Sequence, residues 1–385
     1  MSEIDNEATY RENQMITKYQ LFSMATAMLI FINCMETPKN IDCKDPMRTM
    51  QIDCPEEKIF TIVNGNGMRA KFCNYGARLM SLMVPDKNGK LIDVVMGFDE
   101  PEDYQKSTEP YYGATIGRYA NRINQGKFSI DCNEYRITLN NGSHALHGGE
   151  NGFQERVWEM HQITDSVIIA RLHSPHMDEG FPGNLDVSVK FTLTKMNHLA
   201  INYEATTDSP TVVNLTNHAF FNLNGSGSIL KHTLQINADA YTPVNSELIP
   251  TGEIAPVTGT PFDFRIEKNI GSHINDNDVQ LKNGKGYDHN FVLNKSQVLP
   301  VAKVKGDKSE IIMRIYTTEP GLQFYSGNFM QGKNNLKTGP DNYRTAFCLE
   351  TQHFPNSPNH PTFSTTILRP GETYLSRTIY AFTNH

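Results

Sequence analysis

Several short segments of this 385-residue chain concentrate polar side chains that neither strand nor turn formation requires. In Phe347-Cys-Leu-Glu-Thr-Gln352, Glu350 follows three apolar residues, so the segment reads as a buried strand carrying a carboxylate. A buried carboxylate is costly unless it is paired or used. Burial also raises its pKa towards that of a working general base. The plainer reading puts Glu350 at a strand end facing water. Asn214-Leu-Thr-Asn-His-Ala-Phe-Phe-Asn-Leu223 embeds His218 among amides and aromatics, and taken alone His218 reads as a hydrogen-bonded core histidine. Leu146-His-Gly-Gly149 sets His147 before two glycines, a sign of close backbone approach. Gly117-Arg-Tyr-Ala-Asn-Arg-Ile123 places Asn121 beside Arg122. Tyr287-Asp-His-Asn290 holds Asp288, singly a turn residue, before the apolar Phe291-Val-Leu293. Gly321-Leu-Gln-Phe-Tyr-Ser-Gly-Asn328 holds Gln323 among aromatics.

Other chemistries find less support. Thirteen histidines could supply metal ligands, but there is no H-E-x-x-H and no histidine pair at the H-x₃₋₅-H spacing of zinc sites. The chain has no serine nucleophile elbow, no G-x-G-x-x-G after a strand and no P-loop. A formal net charge of −7 argues against nucleic acid as the main partner and fits a neutral substrate such as a sugar. None of the six cysteines (Cys34, Cys43, Cys54, Cys73, Cys132, Cys348) forms a C-x-x-C pair, and most are read as small buried hydrophobes.

The elements that must position these groups are strands. Asp186–Thr194 alternates Val187, Val189, Phe191 and Leu193 with polar residues, the pattern of a half-buried strand. Lys195-Met-Asn197 turns it into Leu199–Thr206, predicting a hairpin. Val167–His173, His232–Asn237, Ile311–Thr317, Phe363–Leu368 and Tyr374–Phe382 are of similar character. Asn88-Gly89, Asn141-Gly142 and Asn283-Gly284 read as turns between them. With 38% hydrophobic and 20% charged residues the chain can bury a sizeable core. Many short strands predict an all-β fold, a large antiparallel β-sandwich, over residues 56–385 as one domain.

Residues 1–55 differ. Leu21–Ile32 (LFSMATAMLIFI) is too short to cross a bilayer as a helix at ~1.5 Å per residue. With Lys18 before it and Cys34 after it, it resembles a lipoprotein export signal. Residues 1–55 are therefore expected to be a leader and linker, with a lipid anchor at Cys34 and a periplasmic or membrane-anchored product. Phe31, Ile32 and Asn33 replace the small residues of a usual cleavage site, while a start at Met15 would remove the acidic stretch before Lys18. The plain alternative is an N-terminal helix packed on a cytoplasmic protein.

The polar segments, together with Val84-Pro-Asp-Lys-Asn-Gly89 and Asp93-Val-Val-Met-Gly-Phe-Asp99, occur in an order that resembles the aldose 1-epimerase (galactose mutarotase) family from about Ile59 to the C-terminus. Each motif is weak alone, but the ordered set is specific. The resemblance implies a galactose mutarotase-like supersandwich that interconverts the α and β anomers of free hexoses such as glucose and galactose. It implies Glu350 as general base and His218 as general acid. Asn121, Arg122, His147, Asp288 and Gln323 match sugar-contacting positions, His218 itself contacts the sugar, and Phe220 stands where the family often has tyrosine. Asp288 is expected to keep a protonated His218 charged. Gln352-His353 departs from the family pattern and is expected to tune sugar preference. No cofactor is required for proton transfer, nothing in the sequence supports a bound Ca²⁺, and a monomer is implied. The competing readings are a non-catalytic sugar-binding protein on the same fold, a hexose-6-phosphate epimerase (for which no cationic cluster is found) and a polysaccharide lyase or hydrolase, which lacks a second flanking carboxylate.

Overall fold

The structure, a computed structural model, describes residues 57–294 and 299–384. The leader and linker expected over residues 1–55, with Cys34 and Met15, lie outside the described residues. Alternating polarity lets a strand bury one face and wet the other, and the Leu185–Leu193 strand does this: Leu185, Val187, Val189, Phe191 and Leu193 are buried while Asp186 and Lys190 are exposed. It lies within a nine-stranded sheet ordered Glu159–Thr164, Val167–Ser174, Leu185–Leu193, His198–Thr207, Tyr374–Thr383, Ile312–Thr317, Ala302–Lys305, Thr233–Ile236, Lys268–Asn269. Every neighbouring pair is antiparallel.

A second, five-stranded antiparallel sheet runs Ala255–Pro256, Ala238–Thr242, Asp288–Leu293, Gly321–Tyr325, Cys348–Gln352. Val189, Phe191 and Ile201 of the first sheet share one apolar cluster with Leu322, Phe324 and Leu349 of the second, so the sheets form a sandwich around a common core. A four-stranded meander (Ile59–Val63, Arg69–Cys73, Arg78–Pro85, Leu91–Asp93) joins it through Phe72, whose ring centre lies 4.6 Å from that of Phe191. Removing such a buried ring typically costs about 3–5 kcal/mol.

Most of the expected strands form within a residue or two of their predicted ends, and Asn88-Gly89 turns the meander, with Gly89 at φ 77°. Two expectations change. Phe363–Leu368 supplies only Ile367–Leu368 as strand, paired with Thr211–Val212; Phe363 is instead held in a turn, its N–H donating to His360 O at 2.9 Å. Asn283-Gly284 makes no strand turn. It ends the helix Val279–Gly284, capped by Asp278 at one end and by left-handed Lys285 at the other. Of the three cysteines among the described residues, Cys73 and Cys348 are buried, as expected of most, and Cys132 is exposed in a turn at φ 67°.

Candidate active site

The pleat of a strand sends successive side chains to opposite faces. Register therefore assembles the floor of the site. Asp288 lies opposite Tyr325 and Tyr325 opposite Cys348, while Asn290 lies opposite Gln323 and Gln323 opposite Glu350. These six side chains share one face of the five-stranded sheet. The intervening Phe291, Leu322, Phe324 and Leu349 point into the core. All five positions of Gly321–Tyr325 and of Cys348–Gln352 are buried, so the polar face is buried too. Gln323 donates to Asp288 Oδ1 at 2.7 Å. Glu350 is 2% exposed, and its Oε2 has no hydrogen-bond partner among the described residues. Burial holds its carboxyl well above the usual carboxylate range, the charge of Asp288 adds to this, and Arg122 opposes it.

His218 stands over this floor on the chain that follows the short strand Thr216–Asn217. Its main chain is pinned by two bonds, His218 N–H to Ala114 O (2.9 Å) and Gly113 N–H to His218 O (3.0 Å). Phe220 and Tyr111 stack on the ring at 5.0 and 5.7 Å. Nε2 lies 3.5 Å from Glu350 Oε1. Burial pushes His218 down to about 3, so the imidazole is neutral at neutral pH. The expectation of a charged His218 held by Asp288 is therefore corrected. Asp288 is engaged by Gln323, its own carboxyl is raised by burial, and Arg78 further disfavours a charged imidazole.

The opposite wall joins two sequence motifs. Arg122–Ile123 pairs with Ala145–Leu146, bringing Asn121 and Arg122 beside His147. The Asn121 N–H donates to His147 Nδ1 (3.1 Å), and the His147 N–H donates back to Asn121 O (3.0 Å). Both residues take left-handed backbone, Asn121 at φ 62° and His147 at φ 52°. The close approach expected at Gly148-Gly149 is made by protein: a Cβ on Gly148 would lie 2.0 Å from Gly117 O. Arg122 is buried and donates to Asn141 Oδ1 at 3.2 Å.

His218, Glu350, Asn121, Arg122, His147, Phe220 and Asp288 line one cleft of about 80 Å³. Gln323 lies behind it, holding Asp288. Phe220 is fully buried beneath the His218 ring. The cleft also contains Glu109, Tyr111, Leu146, Tyr325 and Phe329, which reading the sequence did not single out. Glu109 and Tyr111 sit on an irregular loop without motif or periodicity. Tyr325 was visible only as an aromatic near Gln323, and Phe329 lies just beyond that segment. Burial pushes the Glu109 carboxyl up to about 7, against the Tyr111 N–H it accepts.

His147, His218 and Glu350 offer ligand atoms within 4.8 Å of one another, a grouping of metal-ligand type. The backbone N–H on His147 Nδ1 places that ring's proton on Nε2, which suits it to donate to an oxygen rather than to ligate. A larger groove of about 670 Å³ lies elsewhere, beside Val301, Tyr316 and Arg377. There His353 pairs with the buried Glu319 at 2.7 Å. His353 thus faces that groove and not the cleft, while Gln352 is buried on the Glu350 face. The smaller cleft is the better candidate, because the side chains of the ordered polar sequence motifs converge there.

The model of the aldose 1-epimerase family matches residues 58–381. The chain is 42% identical to a galactose mutarotase of Sus scrofa over 319 residues, 82% of this chain and 91% of that protein. It is 40% identical to an aldose 1-epimerase of Escherichia coli K12 over 330 residues, 84% and 95% of the two chains. Among solved structures, an aldose epimerase homologue from C. elegans superposes with a TM-score of 0.78 at 33% identity, covering 85% of this chain and 99% of that one. A galactose 1-epimerase from Lactobacillus acidophilus gives 0.75 at 29%, covering 85% and 98%.

Proposed function

The chain belongs to the aldose 1-epimerase family, and on that premise we propose which of its groups carry the reaction. The protein is an aldose 1-epimerase: it interconverts the α and β anomers of aldose sugars, a proton-transfer reaction that requires no cofactor. The observation that carries the assignment is the buried pair His218 Nε2 and Glu350 Oε1, 3.5 Å apart in a cleft whose other walls are hydrogen-bonding groups.

Glu350, as carboxylate, takes the proton from the anomeric hydroxyl as the carbonyl forms at C1. The C1–O5 bond breaks, and His218 gives the Nε2 proton to the departing ring oxygen. Neutral imidazole can act as such an electrophile. The open-chain aldehyde turns about C1–C2 and O5 adds to the other face, with both proton transfers reversed. Each positioned acid or base contributes roughly 10²–10⁴-fold. Arg122, His147 and Asn121 donate to sugar oxygens, and Asp288, oriented by Gln323, accepts from a sugar hydroxyl. Holding the sugar in this frame adds an entropic share. Phe220 lacks a hydroxyl and acts through the His218 ring on which it stacks.

Glucose and galactose are the proposed substrates. The test is polarimetric decay of freshly dissolved α-D-glucose and α-D-galactose with wild type and Glu350→Gln. Acceleration by wild type alone supports the assignment and ranks the sugars. Acceleration by both variants removes Glu350 as base, and binding without acceleration would make the protein a sugar binder. We further read residues 1–55 as an export leader and linker with lipid attachment at Cys34, supported by Lys18, the short apolar run and the cysteine after it. Fractionation of expressing cells checks this: Cys34→Ser should move the protein out of the membrane fraction.

A further inference from the structure

We propose that Cys348 is a positioning residue: its S–H, donated to His218 Nδ1, holds the imidazole in the tautomer whose proton sits on Nε2, facing Glu350 and the cleft. The inference rests on His218 acting as the acid.

Cys348 and Glu350 are two residues apart on one strand, so the thiol and the carboxylate rise from the same face beneath the ring. Cys348 Sγ lies 3.6 Å from Nδ1 while Glu350 Oε1 lies 3.5 Å from Nε2, so each ring nitrogen has its own partner. The flat faces are taken by Phe220 and Tyr111, inclined to the ring by 23° and 24°. A thiol could in principle accept from Nδ1 instead. The other side of the ring answers this: an ionised Glu350 Oε1, 3.5 Å from Nε2, is an acceptor, which draws the ring proton to Nε2 and leaves Nδ1 bare. Burial meanwhile pushes the thiol well above its ordinary range, with Glu350, Glu109 and Asp288 acting in the same direction. Cys348 therefore keeps its proton and has an S–H to give. The competing arrangement puts the ring proton on Nδ1, towards the carbonyl of His218 itself, which accepts the Gly113 N–H with one lone pair and has a second. That arrangement would leave a bare Nε2 facing the Glu350 carboxylate at 3.5 Å, acceptor against acceptor.

Tautomer matters because the ring is neutral. An imidazolium has a proton on both nitrogens whatever surrounds it, whereas a neutral ring has one, and only on Nε2 is it of use to the sugar ring oxygen. His147 is set in the same way by the backbone N–H of Asn121. Both imidazoles of the cleft thus carry the proton on Nε2, one fixed by an amide and the other by a thiol.

The experiment is a ¹⁵N spectrum of the histidine-labelled full chain near neutral pH, with His218→Asn identifying the resonances by their loss, alongside kinetics of Cys348→Ala and Cys348→Ser. Wild type should show a protonated Nε2 and a bare Nδ1. Cys348→Ala should populate both tautomers and lower kcat about 3- to 10-fold, the scale of one lost hydrogen bond, with KM unchanged. Cys348→Ser, which keeps an O–H donor, should recover part of both. A protonated Nδ1 in wild type overturns the proposal without reference to activity or to the folding of any variant. So does a Cys348→Ala protein that loses kcat while keeping its tautomer, since the effect would then be packing. A shifted tautomer with undiminished kcat upholds the hydrogen bond and removes His218 as the acid instead.

Discussion

The two sheets of the sandwich treat burial differently. In the nine-stranded sheet the Leu185–Leu193 strand alternates, with apolar residues inward and Asp186 and Lys190 outward. In the five-stranded sheet, Gly321–Tyr325 and Cys348–Gln352 are buried on both faces, one apolar and one bearing Gln323, Glu350 and Gln352. Leaving a buried polar group without a partner costs about 1–3 kcal/mol. Glu350 Oε2, Gln323 Oε1 and both side-chain polar atoms of Gln352 have no hydrogen-bond partner among the described residues. The first sheet is built as stability requires. The second gives up stability to hold a base and its supports in a buried site beneath the acid.

Neighbouring residues on one strand put this contrast to its hardest test. Glu350→Gln should lower kcat by roughly 10²–10⁴-fold with the fold intact. Leu349→Ala, one residue away on the core face, should cost about 2–5 kcal/mol of stability while its folded fraction turns over normally. Denaturant unfolding and polarimetry on both variants check this, and a Leu349→Ala protein as inactive as Glu350→Gln would erase the distinction. His218→Asn should lose activity on a similar scale, mostly in kcat; a change confined to KM would remove it as acid.

The pH profile is expected to follow from burial. Glu350 must be ionised to act, and its pKa is raised, so kcat/KM should fall with decreasing pH through a value above the ordinary carboxylate range. His218, pushed down to about 3, is already neutral, so no alkaline loss should appear near the ordinary imidazole value of about 6.5. A bell centred there would restore the imidazolium.

A smaller effect concerns stability. The raised pKa of Glu350 in the folded state means its stabilising contribution is present below the unfolded value of about 4.3 and is lost as pH rises through the folded value. An ionised Glu350 therefore burdens the fold, and Glu350→Gln should raise Tm more at about pH 8 than at about pH 4. An equal shift at both would place the burden elsewhere. Gln323→Ala is expected to have the mildest kinetic effect, raising KM by about 3- to 10-fold through a loosened Asp288, the scale of one hydrogen bond.

Much of the fold was legible because period-two alternation over five or more residues arises from little besides a half-buried strand, as in Leu185–Leu193 and Tyr374–Thr383. Short pairings such as Thr115–Ile116 with Thr216–Asn217 were not, since two residues carry no period. Glu350 was legible because a carboxylate after three apolar residues is physically anomalous. Glu109 and Tyr111 were not, because an irregular loop gives no sign of where it folds. Cys348 looked like a small core residue, and nothing in Phe-Cys-Leu-Glu marks the thiol as a partner for an imidazole 130 positions away.

By itself the sequence determined residue types, strand periods and the order of the polar motifs, because these are local properties of the chain. Only the tertiary structure decided protonation. Whether His218 is charged, which nitrogen holds its proton and how far the carboxyl of Glu350 is raised depend on what surrounds each group in space. There the neighbours are Cys348, Phe220, Tyr111 and Arg122, brought together by sheet register and loop packing from distant parts of the chain.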